Sequence, residues 1–312
     1  MTNRPLGTTG MHVSALTMGC WEIGGLAWGP MPAPEAVDLV RAVADAGITA
    51  FDTAEAYGNG RSEVILGHAL RDRRDEVTLI TKTGYLPGVD GAQMLLDEQP
   101  QDYRATSIRR ACELSRQRLQ TDYIDVYLLH DPPMEAVMRE EPFAELRRLQ
   151  DRGEVRAWGV SSSPAVAAEA VRRWGVQVVE TPFNAASPQA ADELFPAAAV
   201  AGAGVLARSP FASGNLILTP EQRRALYAGD WRHFHDPERV AADAAVAERL
   251  EALADMRDEP LTDTAIKYVL GHPEVSTCIV GISDVGEIAP NVRAAVEPYL
   301  DEQARKQLPA AS

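Results

Sequence analysis

Along the 312 residues, short and mostly apolar runs alternate with longer stretches whose apolar positions recur every three or four residues. The runs are Ala15–Met18, Thr49–Asp52, Val77–Thr81, Ile124–Leu129, Ala157–Val160, Val176–Glu180, Gly204–Ala207 and Thr277–Val280. Mostly apolar throughout, they read as parallel strands covered on both faces. The stretches between them include Pro34–Ala46, Ser62–Arg71, Tyr103–Leu119, Glu141–Arg152 and Pro164–Trp174, and these read as amphipathic helices. Several open on proline or a Ser/Thr/Asp cap, and Gly47, Gly153 and Gly175 close three of them. Eight strands alternating with helices predict an α/β fold, specifically a closed (β/α)8 TIM barrel.

An open doubly wound sheet needs a Gly-x-Gly-x-x-Gly turn after its first strand. Here the first run leads into Gly19-Cys20-Trp21-Glu22-Ile23-Gly24-Gly25, which lacks that spacing. The segment Arg4–Ser14 holds a Gly-Thr-Thr-Gly turn and is expected to form an N-terminal β-hairpin closing the barrel floor. No Gly/Ser tract, repeat or low-complexity segment divides the chain, so residues 1–312 are read as one barrel domain. Asn215–Pro237 is the least periodic stretch and reads as a long loop on the catalytic rim.

Composition narrows the function classes. With 30 basic and 45 acidic residues the net charge is −15, which repels phosphate backbones and argues against nucleic-acid binding. Cys20, Cys112 and Cys278 form neither a disulfide framework nor a CxxC pair, so a reduced, cytoplasmic setting is expected. The opening residues lack a signal peptide's apolar core, and no apolar run approaches the ~20 residues of a membrane span. The pair His233-x-His235 has no matching Cys or carboxylate spacing, so it reads as loop surface and no metal site is expected.

In barrels of this kind the chemistry sits at the carboxyl ends of the strands. Those ends carry Trp21, Asp52, Tyr57, Lys82, His130, Ser161, Glu180 and Ser209. Singly, each has an ordinary reading: a turn former, a solvated lysine, a hydrogen-bonded histidine. Together they describe a tuned proton donor. A free tyrosine titrates near ~10, and a nearby ammonium stabilises its phenolate. An aspartate keeps that lysine charged and in place, and a histidine can donate to a carbonyl oxygen. Such a set serves a carbonyl/alcohol couple, with the hydride left to a cofactor.

In order and local context, Asp52, Tyr57, Lys82 and His130 resemble the catalytic tetrad of the aldo-keto reductases. The resemblance runs from Arg4-Pro5-Leu6-Gly7 through Phe51-Asp52-Thr53-Ala54-x-x-Tyr57-Gly58, Gly159-Val160-Ser161 and Ser209-Pro210-Phe211 to Gly281 and Asn291. It implies an NAD(P)-dependent oxidoreductase acting on an aldehyde, ketone, sugar or secondary alcohol, with Tyr57 as general acid or base. It also implies where the cofactor lies. Ser161 would meet the nicotinamide amide, while Ser209, Pro210, Phe211 and Ser213 would wrap the pyrophosphate. Gly281, Ser283, Glu287 and Asn291 would hold the adenosine half, and Cys20 and Trp21 would wall the nicotinamide end.

Three positions depart from the family's common pattern. Ser162 stands where Asn is usual, Glu180 where Gln usually holds the nicotinamide amide, and Arg208 where an aromatic often stacks on the ring. A carboxylate at 180 can still accept from the amide and favours a positively charged ring; a guanidinium can still stack. At the adenosine end Glu287 and Asp284 would repel a 2′-phosphate, whereas Arg232 or Arg293 could offset them, so the choice between NADP(H) and NAD(H) stays open. Trp21, Trp28, Tyr85, Trp231 and Phe234 are candidate pocket walls for a small-molecule carbonyl or alcohol substrate. Two other readings remain: a cofactor-sensing regulatory subunit with slow turnover, and a lyase using Lys82 as a Schiff-base nucleophile. An oligomer is compatible with the sequence.

Overall fold

Branched and apolar side chains on both faces of each run leave a strand only one stable setting, a sheet covered on both sides. The computed structural model, which describes residues 1–25, 28–86, 100–226, 228–306 and 308, realises it as a closed barrel. A hairpin of β1 (Asn3–Pro5) and β2 (His12–Ser14) comes first. The barrel strands follow: β3 (Leu16–Gly19), β4 (Ala50–Asp52), β5 (Thr78–Thr83), β6 (Ile124–His130), β7 (Val155–Ser161), β8 (Val178–Pro182), β9 (Gly204–Arg208) and β10 (Val275–Gly281). All eight pair in parallel, in chain order, and β10 closes on β3 with Cys278 opposite Leu16.

Helices such as Ala33–Asp45, Arg61–Leu70, Ala105–Leu119, Glu140–Asp151 and Pro164–Trp174 fall within two residues of the predicted spans. Their apolar faces pack on the outer surface of the sheet, building the larger core. A smaller core fills the barrel with Ala50, Ile80, Val126, Leu128, Ala157, Val178, Leu206 and Ile279. Leu6 and Val13 of the hairpin join this inner core, which is how the hairpin closes the floor. No helix among the described residues is long and apolar enough to cross a membrane.

Two sequence expectations need adjustment. Seven of the eight barrel strands end beyond the predicted apolar runs, so Lys82, His130, Ser161 and Arg208 lie within β5, β6, β7 and β9, and β8 continues past Glu180 to Pro182. Backbone pairing continues past the first polar side chain: His130 is opposite Ser161, and Ser161 opposite Glu180. The stretch Asn215–Pro237 is also more ordered than a plain loop. It contains the helix Pro220–Arg224, opened by a Thr219/Gln222 capping box, and a 3-10 turn Trp231–Phe234 capped by Asp230.

Candidate active site

The tyrosine is placed by a turn that depends on glycine. Tyr57 N–H donates to Ala54 O at 3.0 Å, and Gly58 follows with φ +62°. A Cβ at Gly58 would stand 2.4 Å from Gly24 O, so the turn seats directly on the segment after β3. From β5, Lys82 reaches under this turn and is completely buried. Its Nζ donates to Asp52 Oδ1 and Oδ2 at 2.6 and 2.7 Å, to Thr53 O at 3.0 Å and to Tyr57 Oη at 3.5 Å. His130 is held from behind by Tyr103, whose hydroxyl donates to His130 O at 2.5 Å. The rings of Tyr57 and His130 meet edge to face at 5.9 Å.

Glu180 adds a second carboxylate to this group. Its Oε2 lies 3.4 Å from Lys82 Nζ and is buried without a hydrogen-bond partner, while Oε1 accepts from Ser161 Oγ at 3.0 Å. Arg208 Nε stands 3.7 Å from the same Oε1. Burial alone would lower the Lys82 ammonium, but Asp52 and Glu180 outweigh it and hold it above its usual value. Burial, then Glu180, pushes the Asp52 carboxyl up against the pull of Lys82.

Lys82 does not achieve the net lowering of Tyr57 that its proximity predicts. Burial of the phenol raises it above the ordinary tyrosine value, and Lys82 only partly opposes this. Burial, then Lys82 and Arg208, drives His130 well below 6.5, so its imidazole is neutral at physiological pH. The same burial removes the lyase reading: an ammonium locked between two carboxylates is the opposite of a nucleophilic amine.

A cleft of about 580 Å³ opens above the group. Cys20, Trp21, Asp52, Tyr57, His130, Glu180 and Arg208 line its floor, with Trp28, Tyr85 and Trp231 on the walls. Trp21 stacks on Tyr57 with ring centres 5.9 Å apart and meets Trp231 at 5.0 Å. Phe234, a predicted wall, is instead 55% exposed and outside the cleft, because the 3-10 turn points it outward. Ser161 and Ser162 do not line the cleft either. Both are buried, Ser161 behind Glu180, and Ser162 with its N–H on Glu180 O at 2.9 Å. His235 packs edge-on against Trp231, and no metal-holding group of His, Cys, Asp or Glu occurs among the described residues.

The cleft continues over Ser209, Pro210, Phe211 and Ser213 to Gly281, Ser283, Glu287 and Asn291. Left-handed backbone at Ser209, Ala212, Ser213 and Gly214 curls the first segment into a concave turn of the kind that cradles anions. At the far end Glu287 is partly occupied: its Oε2 accepts from the Ser283 and Asp284 N–H groups at 2.8 and 3.3 Å, completing a capping box with Asp284. The two cations that could offset it are committed to carboxylates. Arg293 makes two 2.9 Å bonds to Asp263, and Arg232 is bidentate to Asp230 while covering the Trp28 ring.

Two cleft acids escaped the sequence reading. Glu22 is buried beside Gly281, where a Cβ would strike its Oε1 at 1.9 Å, and burial pushes its carboxyl up to about 7. Asp131, directly after His130, also faces the cleft. Only the adjacency of Asp131 to His130 signalled either one. An elongated cleft, an anion-cradling turn and a Glu180 carboxylate at the cleft floor together fit a dinucleotide with an amide-bearing ring.

Comparison with known proteins identifies the family. The aldo/keto reductase family model matches residues 15–310. The aldo-keto reductase YhdN of Bacillus subtilis is 30% identical over 289 residues, covering 90% of this chain and 84% of that one. The holo form of aldo-keto reductase AKR11C1 from Bacillus halodurans superposes with a TM-score of 0.80 at 29% identity, over 99% of this chain and 95% of that one. An aldo/keto reductase from Klebsiella pneumoniae, solved with NADP and acetate, gives 0.71 at 25% identity over 99% and 94%. The chain belongs to the aldo-keto reductase family and is an NAD(P)-dependent oxidoreductase.

Proposed function

We propose that this protein interconverts a carbonyl and an alcohol with Tyr57 as the proton-transfer group. The observation that carries the reading is the Lys82 ammonium, which bridges Asp52 and the Tyr57 hydroxyl at the cleft floor. In reduction, Tyr57 gives its proton to the carbonyl oxygen, and Lys82 stabilises the phenolate left behind. In oxidation the same phenolate takes the alcohol proton. His130, kept neutral by burial, can donate one hydrogen bond that orients the carbonyl oxygen. Asp52 holds Lys82 and keeps it charged. The aromatic walls keep water from the reacting carbon.

When bound, the nicotinamide cofactor supplies or accepts the hydride. Glu180, Arg208, Cys20 and Trp21 would meet its ring end, with Ser161 and Ser162 hydrogen-bonded to Glu180 in support. The 209–213 turn would wrap the pyrophosphate, and Gly281, Ser283, Glu287 and Asn291 would hold the adenosine end. With Arg293 and Arg232 already paired, the charges there favour a free ribose diol over a 2′-phosphate. Tyr57→Phe tests the central claim. It should lower kcat by a factor on the order of 10²–10⁴ while cofactor affinity barely changes. Activity within threefold of the parent would remove Tyr57 from the proton-transfer role.

A further inference from the structure

Beside the carbonyl-orienting histidine the cleft carries an acceptor that the proposed proton transfer leaves unused. Asp131 has φ +47°, a left-handed setting that costs a non-glycine residue stability. Its backbone is clamped there from both sides: the N–H donates to Ser161 O at 2.8 Å, and the C=O accepts from Gln101 Nε2 at 3.2 Å. This setting accompanies a carboxylate directed over the active centre rather than away from it. Oδ2 accepts from Tyr85 Oη at 3.3 Å and lies 4.0 Å from His130 Nε2, and Oδ1 is 3.8 Å from Arg208 Nη2. At 4.0 Å the histidine and the carboxylate are too far apart to satisfy each other. The side chain is 41% exposed, so it keeps accepting capacity toward the cleft.

An N–H donor and a carboxylate acceptor thus stand side by side next to Tyr57. Two roughly parallel hydrogen bonds from atoms so spaced suit ligand oxygens about 3–4 Å apart, the span of oxygens on adjacent carbons. The donor suits a carbonyl oxygen, and the acceptor suits a hydroxyl on the next carbon. The Trp21, Trp28 and Trp231 rings add flat apolar walls against which the C–H faces of a polyol can pack. We infer that Asp131 selects substrates with a hydroxyl next to the reacting carbon, that is, α-hydroxy carbonyls and the corresponding vicinal diols. This rests on the carbonyl/alcohol reading above and names its substrate class. Substrates with a carboxylate in place of that hydroxyl would face Asp131 and be disfavoured.

The test compares 2-hydroxypropanal with propanal, which differ by that single hydroxyl. Asp131→Gly removes the acceptor and keeps the left-handed backbone, and Asp131→Asn keeps a neutral acceptor that also tolerates that φ. The ratio of kcat/KM for the hydroxylated over the plain aldehyde should exceed one in the parent. It should fall ~10–100-fold in Asp131→Gly and by a smaller factor in Asp131→Asn. A ratio unchanged within threefold in both variants would overturn the assignment, because a loss shared equally by both aldehydes marks Asp131 only as a support for His130. Binding gives a second readout. Tryptophan quenching by 1,2-propanediol against 1-propanol, in the presence of oxidised cofactor, should show the same loss of preference. Preference for the diol without turnover of either aldehyde would sink the proton-transfer reading and keep this one, whereas turnover without preference would do the reverse.

Discussion

Removing Lys82 offers a sharp test of how the buried charges are arranged. Lys82 Nζ sits 2.6 Å from Asp52 and 3.4 Å from Glu180, with all three side chains nearly or wholly inaccessible. At an effective dielectric of ~20, unit charges at these distances attract by roughly 6 and 5 kcal/mol before desolvation is subtracted. Lys82→Met leaves two carboxylates unpaired in the barrel mouth, a change of the kind that costs about 3–5 kcal/mol. For a chain of this size that corresponds to a fall in Tm of roughly 5–8 °C. The informative measurement is the double variant. If Glu180 is held mainly by Lys82, adding Glu180→Gln to Lys82→Met removes one of the two orphaned charges and should recover ~1–2 kcal/mol. Glu180→Gln alone should cost little, since Asp52 still pairs the lysine. Calorimetry or thermal melts of the four proteins complete the cycle. A double variant less stable than Lys82→Met would refute the reasoning and show that Ser161 and Arg208 hold Glu180 instead.

Other consequences follow from the same geometry. His130→Ala should reduce kcat/KM for every carbonyl substrate while the protein stays folded; loss of the circular dichroism spectrum instead would mark His130 as structural. Because burial holds the His130 imidazole well below its ordinary 6.5, it is neutral at that pH, so reductive kcat/KM should show no acid limb centred on 6.5 from this residue. By linkage, the unfolded chain binds a proton below 6.5 that the folded chain refuses, so His130 makes stability fall as pH drops through that value; a smaller proton uptake on unfolding at pH 6 in His130→Ala than in the parent would check it. Glu287→Gln should tighten NADP relative to NAD by ~5–30-fold if the carboxylate faces the ribose, read by tryptophan quenching with each cofactor. An unmoved ratio would leave Glu287 as the capping-box residue alone.

Much of this protein is legible in local pattern. Apolar runs of four to six residues, separated by helices of three to four turns, admit few arrangements beyond a barrel with all strands parallel. The strand ends then bring Asp52, Tyr57, Lys82 and His130 to one rim, because every parallel strand delivers its carboxyl end to the same side. The hairpin floor follows equally from Leu6 and Val13, apolar residues around a glycine turn. These are short-range properties: a side chain's alternation and a turn's backbone needs depend on neighbours in the chain.

The charges were not legible in the same way. Whether Glu180 meets Lys82, whether Arg293 serves a cofactor or Asp263, and whether Asp131 turns toward the cleft depend on groups up to about a hundred residues apart. Only barrel closure and strand register set those distances. Burial decided the rest. A lysine beside a tyrosine predicts a lowered phenol, yet the desolvation that raises Tyr57 exists only once the rim residues have packed around it. The order of elements and the residues gathered at the candidate site thus came from the sequence by itself. Which charge neutralises which, and which acceptor remains for a substrate, came from tertiary structure, because electrostatics acts through space and through solvent exclusion rather than along the chain.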